Sequence, residues 1–249
     1  MKPEYLLLLV AAILVIRIVL TVRSKRANAT GASMTVAKEY LDPFIVAGLA
    51  AWVLITFVAR TYYIPSESMV PTLLVHDVLL VDKISYRLHA PHDGDIAVFP
   101  PPVPTDDDFI KRVMGQPGDT FRIQQGVVYR NGVALVEPYI NATPVYNLKI
   151  ANYGIYEQDM GETDWQRIDP TQANIPPKSQ WTAPDRIPPH CYFMMGDNRN
   201  NSEDSHIWGF AQDAGTFATG PRAGTKGSFT GRAFVVFWPF NRIKILHRT

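Results

Sequence analysis

The 249 residues allow one or two domains with a sizeable core, and 47% of them are hydrophobic. The net charge of +1 gives no indication of a nucleic-acid partner, and we expect none. The single cysteine, Cys191, excludes an intrachain disulfide, and its place in an apolar run predicts a buried thiol.

Two apolar runs come first in the chain. Residues 5–22 are apolar except for Arg17, and residues 43–59 are apolar throughout. Each run is close to the length at which a helix crosses a hydrocarbon core of about 30 Å. Arg17 lies towards the end of its run, from which its side chain can reach the interface. A cleaved signal peptide is the alternative for the first run, but no small-x-small cleavage site directly follows it. We therefore expect residues 1–60 to form a membrane anchor with two transmembrane helices.

The loop between the two runs carries most of the nearby positive charge. Its basic residues are Arg23, Lys25, Arg26 and Lys38. Cytoplasmic loops carry the excess of lysine and arginine, so this loop is expected in the cytoplasm. Both termini then lie outside, and residues 61–249 form an extracytoplasmic, periplasmic domain of a multi-pass protein of the inner (plasma) membrane.

The next stretch is Ile64-Pro65-Ser66-Glu67-Ser68-Met69-Val70-Pro71-Thr72. Proline fixes its own φ and favours an extended conformation at the preceding residue, so the segment is stiff. By itself it is consistent with a proline-rich turn after a membrane anchor. It is also consistent with a rigid loop that carries a nucleophile, Ser68.

Short β-like runs separated by turn residues follow. They cover residues 78–81, 95–99, 109–114, 120–123, 127–130, 133–136, 191–195 and 233–238. The Asn131-Gly132 pair is a strong hairpin signal. The sequence therefore predicts a mostly β domain, with an inserted subdomain over about 138–189 and an exposed loop over 212–227 whose role it does not assign.

Lys111 lies in the strand predicted over 109–114. Alternate residues of a strand share a face, so Phe109, Lys111 and Val113 point the same way. A lysine among apolar neighbours can lose its proton, and a fall of about three pKa units corresponds to about 4 kcal/mol. A neutral amine could take the proton of a serine hydroxyl. An ordinary exposed lysine at a strand edge is the alternative.

A dense polar cluster runs from Gly196 to His206, directly after an apolar strand. It is either a solvated surface loop or a buried network that orients a catalytic group. His89 and His92 lack a third ligand nearby, so we expect surface residues there and no metal site.

Together these stretches resemble the bacterial type I signal peptidase family, the membrane-bound Ser–Lys endopeptidases. Residues 66–73 are similar to its nucleophile box, and 94–99 to its strand box. Residues 111–119 are similar to its lysine box, and 196–205 to its Gly-Asp-Asn-Arg box. The resemblance implies a mostly β, LexA-like fold, no cofactor, and secretory preproteins with small residues before the cut as substrates. Exposed aromatic side chains beside the site are expected to meet membrane lipid.

The resemblance also implies roles for single residues. Ser68 would be the nucleophile and Lys111 the general base. Ser66, with the backbone N–H of Ser68, would form the oxyanion hole, and Ser202 would orient the lysine. Residues that would support the site are Asp204, Asp197 and Arg199. Residues expected to line the substrate pocket are Ile64, Pro65, Met69, Leu73 and Phe109.

His206 departs from the family, which usually has arginine there, and the expected link to Asp204 is weaker and sensitive to pH. Other readings stay open: a non-membrane Ser–Lys autoprotease, an enzyme dedicated to one secreted protein, and a catalytically silent anchored binding module. The two apolar runs disfavour the first of these. The joint presence of Ser66, Ser68, Lys111 and Ser202 disfavours the last.

Overall fold

A computed structural model of the chain describes residues 3–26, 37–217, 219–220, 222–224 and 227–248. The chain divides into two compact units, Met1–Arg60 and Thr61–Thr249. The first is helical and the second is mostly β.

The N-terminal unit contains α1 (Pro3–Arg26) and α2 (Asp42–Val53), with π-helical turns on either side of α2 at Ala37–Leu41 and Leu54–Val58. Of the described residues, one helical segment, Glu39–Val58, is both long and apolar enough to cross a membrane. It contains most of the predicted run 43–59. The predicted run 5–22 is helical within α1, but a second span, and hence the pair of transmembrane helices, is not confirmed. The middle of the predicted cytoplasmic loop lies outside the described residues.

Fourteen strands are described, and they begin where the π-helical turn after α2 ends. They are β1 (Ala59–Tyr63), β2 (Val78–Asp82), β3 (Ile96–Phe99), β4 (Phe109–Gly115), β5 (Phe121–Gln124), β6 (Val127–Arg130), β7 (Val133–Ala134), β8 (Tyr146–Ala151), β9 (Gly154–Asp159), β10 (Gln166–Arg167), β11 (Cys191–Met195), β12 (Ala211–Gln212), β13 (Gly231–Trp238) and β14 (Lys244–Ile245). Two short helices, α3 (Ser85–Leu88) and α4 (Ser205–Trp208), interrupt them, with 3-10 turns at Lys178–Gln180 and Phe240–Arg242.

The strands form two sheets. The first has the order β1-β2-β13-β3-β4-β11-β12, with β14 beside β13, and its recorded pairings are antiparallel. The second has the order β10-β9-β8-β5-β6-β7 and is also antiparallel. The Asn131-Gly132 hairpin joins β6 to β7 as predicted, with both turn residues at positive φ. The mostly β prediction is therefore confirmed.

Strand β11 is buried at every position, which explains why its sequence is continuously apolar. Its residues alternate between two parts of the core, as a strand requires. Cys191, Phe193 and Met195 pack in the cluster that includes the second sheet, whereas Tyr192 and Met194 pack in another. The buried thiol of Cys191 agrees with the sequence prediction, and burial raises its pKa to about 12. The polar cluster at 196–206 leaves the end of this strand, so a rigid buried element positions it.

Candidate active site

The loop after β1 is fixed by apolar anchors that leave its serines accessible. Ile64, Met69 and Leu73 are almost fully buried in one cluster. Ser66 is exposed and Ser68 is half-buried, and their Oγ atoms lie 3.4 Å apart. The anchors therefore hold the backbone, while the two hydroxyls face outward side by side.

Lys111 in β4 is only 4% exposed. Its Nζ donates a hydrogen bond of 3.0 Å to Ser202 Oγ and lies 5.7 Å from the ring centroid of Phe109. Burial lowers the pKa of the amine to about 8, although the carboxylate of Asp204 acts in the opposite direction. Lys111 is therefore a buried amine in a mainly apolar environment, as the alternation of Phe109, Lys111 and Val113 predicts.

Gly196 lies between Ser68 and Ser202. A Cβ at position 196 would collide with the backbone oxygen of Ser68 and with Ser202 Oγ, so only glycine fits there. The N–H of Asn198 donates to the same Ser68 oxygen at 3.1 Å. The Ser202 hydroxyl, which binds the lysine amine, thus lies next to the loop that carries Ser66 and Ser68. No hydrogen bond between Ser68 Oγ and Lys111 Nζ is present in the described part of the chain, where the amine binds Ser202 instead.

Asp197 joins β4, the strand of Lys111, to the loop that carries Ser66 and Ser68. Its carboxylate accepts two hydrogen bonds from the Arg112 guanidinium, at 2.8 and 2.6 Å, and a short one from the Thr72 hydroxyl. Asp197 and Arg112 are almost completely buried, and such a pair is tolerated only with good geometry and full hydrogen bonding. Arg112 follows Lys111 directly and points to the other face of β4, so one strand supplies both the amine and a support for the loop.

Arg199 is held by a partner from outside the cluster. Its guanidinium binds the carboxylate of Glu137 at 3.0 and 2.5 Å, and its Nε donates to the backbone oxygen of Gly196 at 3.1 Å. The hydroxyl of Tyr139 also donates to the Glu137 carboxylate, and the centroid of its ring lies 3.9 Å from Cζ of Arg112. The segment that follows β7 therefore supports the cluster through a buried ion pair.

Asp204 and His206 form the remaining side of the site. Asp204 is fully buried; one oxygen accepts the Gly196 N–H at 3.1 Å, and the other lies 2.5 Å from His206 Nδ1. Burial alone would raise the pKa of Asp204, but His206 lowers it below its usual value. Burial alone would lower the pKa of His206, but Asp204 raises it above its usual value. The Tyr146 ring stacks on the imidazole, with centroids 4.8 Å apart.

Residues 37–238 match the family described as signal peptidase, peptidase S26. The chain belongs to this family. It is 41% identical over 199 residues to a probable signal peptidase I-2 of Synechocystis, covering 77% of this chain and 68% of that protein. It is 38% identical to a signal peptidase I of Leptolyngbya laminosa, over 76% and 73% of the two chains. A probable signal peptidase I-1 of Synechocystis is also 38% identical, over 78% and 88%. The chain is thus a signal peptidase, a serine endopeptidase that acts on secretory preproteins.

The five residues expected to line the substrate pocket differ in their burial and in the part of the core they contact. Ile64, Met69 and Leu73 pack together in the core under the loop that carries Ser66 and Ser68, and Pro65 is exposed beside Ser66. Phe109 is half-buried and contacts Trp208 edge-on, with centroids 6.5 Å apart. The structure therefore brings three of the five into one cluster and leaves Phe109 in another.

Several residues that build the site were not predicted from the sequence. Glu137, Thr72 and Tyr146 contact Arg199, Asp197 and His206 from distant positions, and no local pattern connects them. His89 and His92 stack with centroids 4.9 Å apart. Within the described ranges, no group of three His, Cys, Asp or Glu side chains is placed to hold a metal ion.

Proposed function

We propose that this signal peptidase cleaves its substrates with Ser68 as the nucleophile and Lys111 as the general base. The observation that carries the proposal is the buried amine of Lys111, held at 3.0 Å by Ser202 beside the loop of Ser68. A lysine whose pKa is about 8 is neutral in about a tenth of molecules at pH 7, which is enough for it to act as a base.

The reaction follows from the chemistry of the two groups. Neutral Lys111 takes the proton of Ser68 Oγ as the oxygen attacks the scissile carbonyl, and the resulting ammonium then protonates the leaving amine. The acyl-enzyme at Ser68 is hydrolysed by a water that Lys111 deprotonates in turn. Before this, the Ser68 hydroxyl must turn from Ser66 towards the amine, since catalytic hydrogen bonds often form only in the substrate complex.

The oxyanion hole is assigned to the hydroxyl of Ser66 and the backbone N–H of Ser68. Ser66 Oγ is exposed and lies 3.4 Å from Ser68 Oγ, so it can approach the oxygen of a carbonyl bound at Ser68. Removing one such donor typically costs about two to three orders of magnitude in kcat. Ser202 orients the amine, while Asp197, Arg199 and Asp204 hold the loop that carries Ser202.

For the substrate, we propose an extended preprotein segment with small residues at the first and third positions before the cut. Shallow apolar pockets would exclude larger side chains, and pairing with a strand edge would fix the register. Pro65, which is exposed beside Ser66, and the half-buried Phe109, whose ring centroid lies 5.7 Å from Lys111 Nζ, are assigned to direct substrate contacts. Ile64, Met69 and Leu73 are at most 3% exposed and are assigned to the floor beneath Ser66 and Ser68, which they hold in place.

We place residues 1–60 in the plasma membrane as a two-span anchor, with residues 61–249 on the extracytoplasmic side against membrane lipid. The apolar helical segment Glu39–Val58 and the basic residues of the preceding loop support this topology. A reporter fused in the loop between Arg23 and Asp42 should report the cytoplasm, and an external signal there would contradict the proposed orientation.

The catalytic assignment is tested with a precursor that carries an Ala-x-Ala cleavage site. Ser68→Ala and Lys111→Ala should each reduce cleavage to the background, with the fold checked by circular dichroism. Lys178→Ala and Ser179→Ala are matched controls because both residues are exposed on a turn of the second unit. Near-normal cleavage by Lys111→Ala would show that another group is the base. A panel of different precursors separates a general enzyme from one dedicated to a single protein.

A further inference from the structure

His206 occupies an unusual position for a histidine. Its side chain is only 13% exposed at the start of α4, and Nδ1 contacts the fully buried carboxylate of Asp204 at 2.5 Å. The backbone N–H of His206 binds the same oxygen at 3.3 Å. The imidazole is therefore fixed in position, and its charge acts on a carboxylate that cannot be solvated by water.

The same carboxylate acts on the lysine of the proposed dyad. Among the charges near Lys111, Asp204 contributes most to holding the proton on the amine. Its second oxygen binds the N–H of Gly196, the residue that separates Ser68 from Ser202. Asp204 thus faces His206 with one oxygen and the backbone N–H of Gly196 with the other.

The groups that face His206 come from three further elements of the fold. Lys111 lies on β4 and, when charged, opposes the charge of the histidine. Tyr146 on β8 stacks on the ring and limits its access to water. Glu157 on β9 is the second carboxylate that favours the imidazolium. Burial, the carboxylates of Asp204 and Glu157, and the amine of Lys111 therefore together determine how readily His206 is charged.

We propose that His206 is a positioning residue for Lys111, acting through Asp204. The Asp204 carboxylate contacts His206 directly and binds the N–H of Gly196, which packs against the Ser202 that holds the lysine amine. While His206 is charged, it compensates Asp204 and the amine loses its proton more readily. Once His206 is neutral, the uncompensated carboxylate holds the proton on Lys111. This coupling makes cleavage depend on the histidine as well as the lysine, and it rests on the proposed role of Lys111 as the base.

The first test is the pH profile of kcat/KM between pH 5.5 and 9.5 for the full chain in detergent micelles. His206→Gln should move the acid limb to higher pH by about half a pH unit or more at the effective dielectric of protein sites, whereas His206→Arg, which keeps a positive charge beside Asp204, should not move it to higher pH. A structural role would lower the rate at every pH without moving the limb. The matched control is His190→Asn, because His190 forms a similar pair with Asp213 but is 65% exposed. The acid limb of kcat/KM in His190→Asn should lie at the same pH as in wild type.

The second test does not need activity. Coupling between two sites is reciprocal, so removing the lysine charge must change the histidine titration by the same amount. In the chain with 13C-labelled histidines, Lys111→Met should raise the His206 titration midpoint by about half a pH unit or more, while that of His190 stays constant. An unchanged His206 midpoint, or an acid limb unmoved in His206→Gln, overturns this inference. A wild-type chain that cleaves no precursor contradicts the proposed function instead, and the titration still decides the role of His206.

Discussion

Replacing Lys111 with methionine should stabilise the protein while abolishing cleavage. Methionine has a similar length and no charge, so it can occupy the same space against Phe109 without the cost of burying an amine. The wild-type amine is only 4% exposed, and its pKa is about 8 in the folded protein against 10.5 for an unperturbed lysine. Because the folded chain binds this proton more weakly than the unfolded chain, the free energy of unfolding is reduced at every pH at which the amine is protonated.

The magnitude follows from the two pKa values. Between pH 8 and 10.5 the unfolded chain binds more protons than the folded one, so wild-type stability rises with pH across this range. The penalty is about 3 kcal/mol at pH 7 and falls to about 1 kcal/mol at pH 9.5. Loss of the hydrogen bond to Ser202 offsets about 1 kcal/mol of the gain. A net gain of about 2 kcal/mol at pH 7 corresponds to a rise in Tm of about 4–8 °C for a unit of this size.

The assay is thermal unfolding of the full chain in detergent, followed by near-ultraviolet circular dichroism at pH 7 and pH 9.5. Lys178→Met is the control, because Lys178 is exposed and its side chain touches only the Tyr153 ring, 4.5 Å from Nζ, among the contacts described; any change in Tm should be small and the same at both pH values. The reasoning is refuted if Lys111→Met unfolds at a lower temperature than wild type at pH 7. It is equally refuted if the difference in Tm is the same at both pH values, because a buried titrating amine must give a difference that shrinks as the pH rises.

Three further predictions follow from the site. The acid limb of wild-type kcat/KM should lie near pH 8, with activity lost about tenfold per pH unit below it as Lys111 becomes protonated; a rate independent of pH between 6 and 8 would exclude this base. Glu137→Gln should lower the free energy of unfolding, measured in urea, by about 3–5 kcal/mol, because it leaves the Arg199 guanidinium buried without its charged partner. A change below about 1 kcal/mol, which is typical of solvent-exposed ion pairs, would contradict the burial of this pair. Gly196→Ala should reduce kcat by at least about tenfold, since its Cβ displaces Ser202 from the amine by more than a productive geometry tolerates; unchanged precursor cleavage would contradict this packing.

Two neighbouring strands of the second sheet differ in how far their own residues specify them. Residues 146–151 read Tyr-Asn-Leu-Lys-Ile-Ala, an apolar–polar alternation that β8 realises with alternate residues buried. Residues 154–159 carry no such alternation, and they become β9 because β8 provides a partner for pairing at every position. The high content of proline and asparagine around both strands concealed this regularity.

The sequence by itself determined the mostly β fold, the hairpin at Asn131-Gly132 and the apolar helical segment before the domain, whereas it left open whether Lys111 is buried or exposed. Each of the three determined features depends on residues close together in the chain, through alternation of side chains or through turn and length requirements. Only the tertiary structure decided that Ser202 binds the amine, that Glu137 neutralises Arg199, and that Tyr146 covers His206. The residues in these three contacts are 60 to 91 positions apart in the chain. The packing of strands brings them together, and no local sequence pattern encodes that packing.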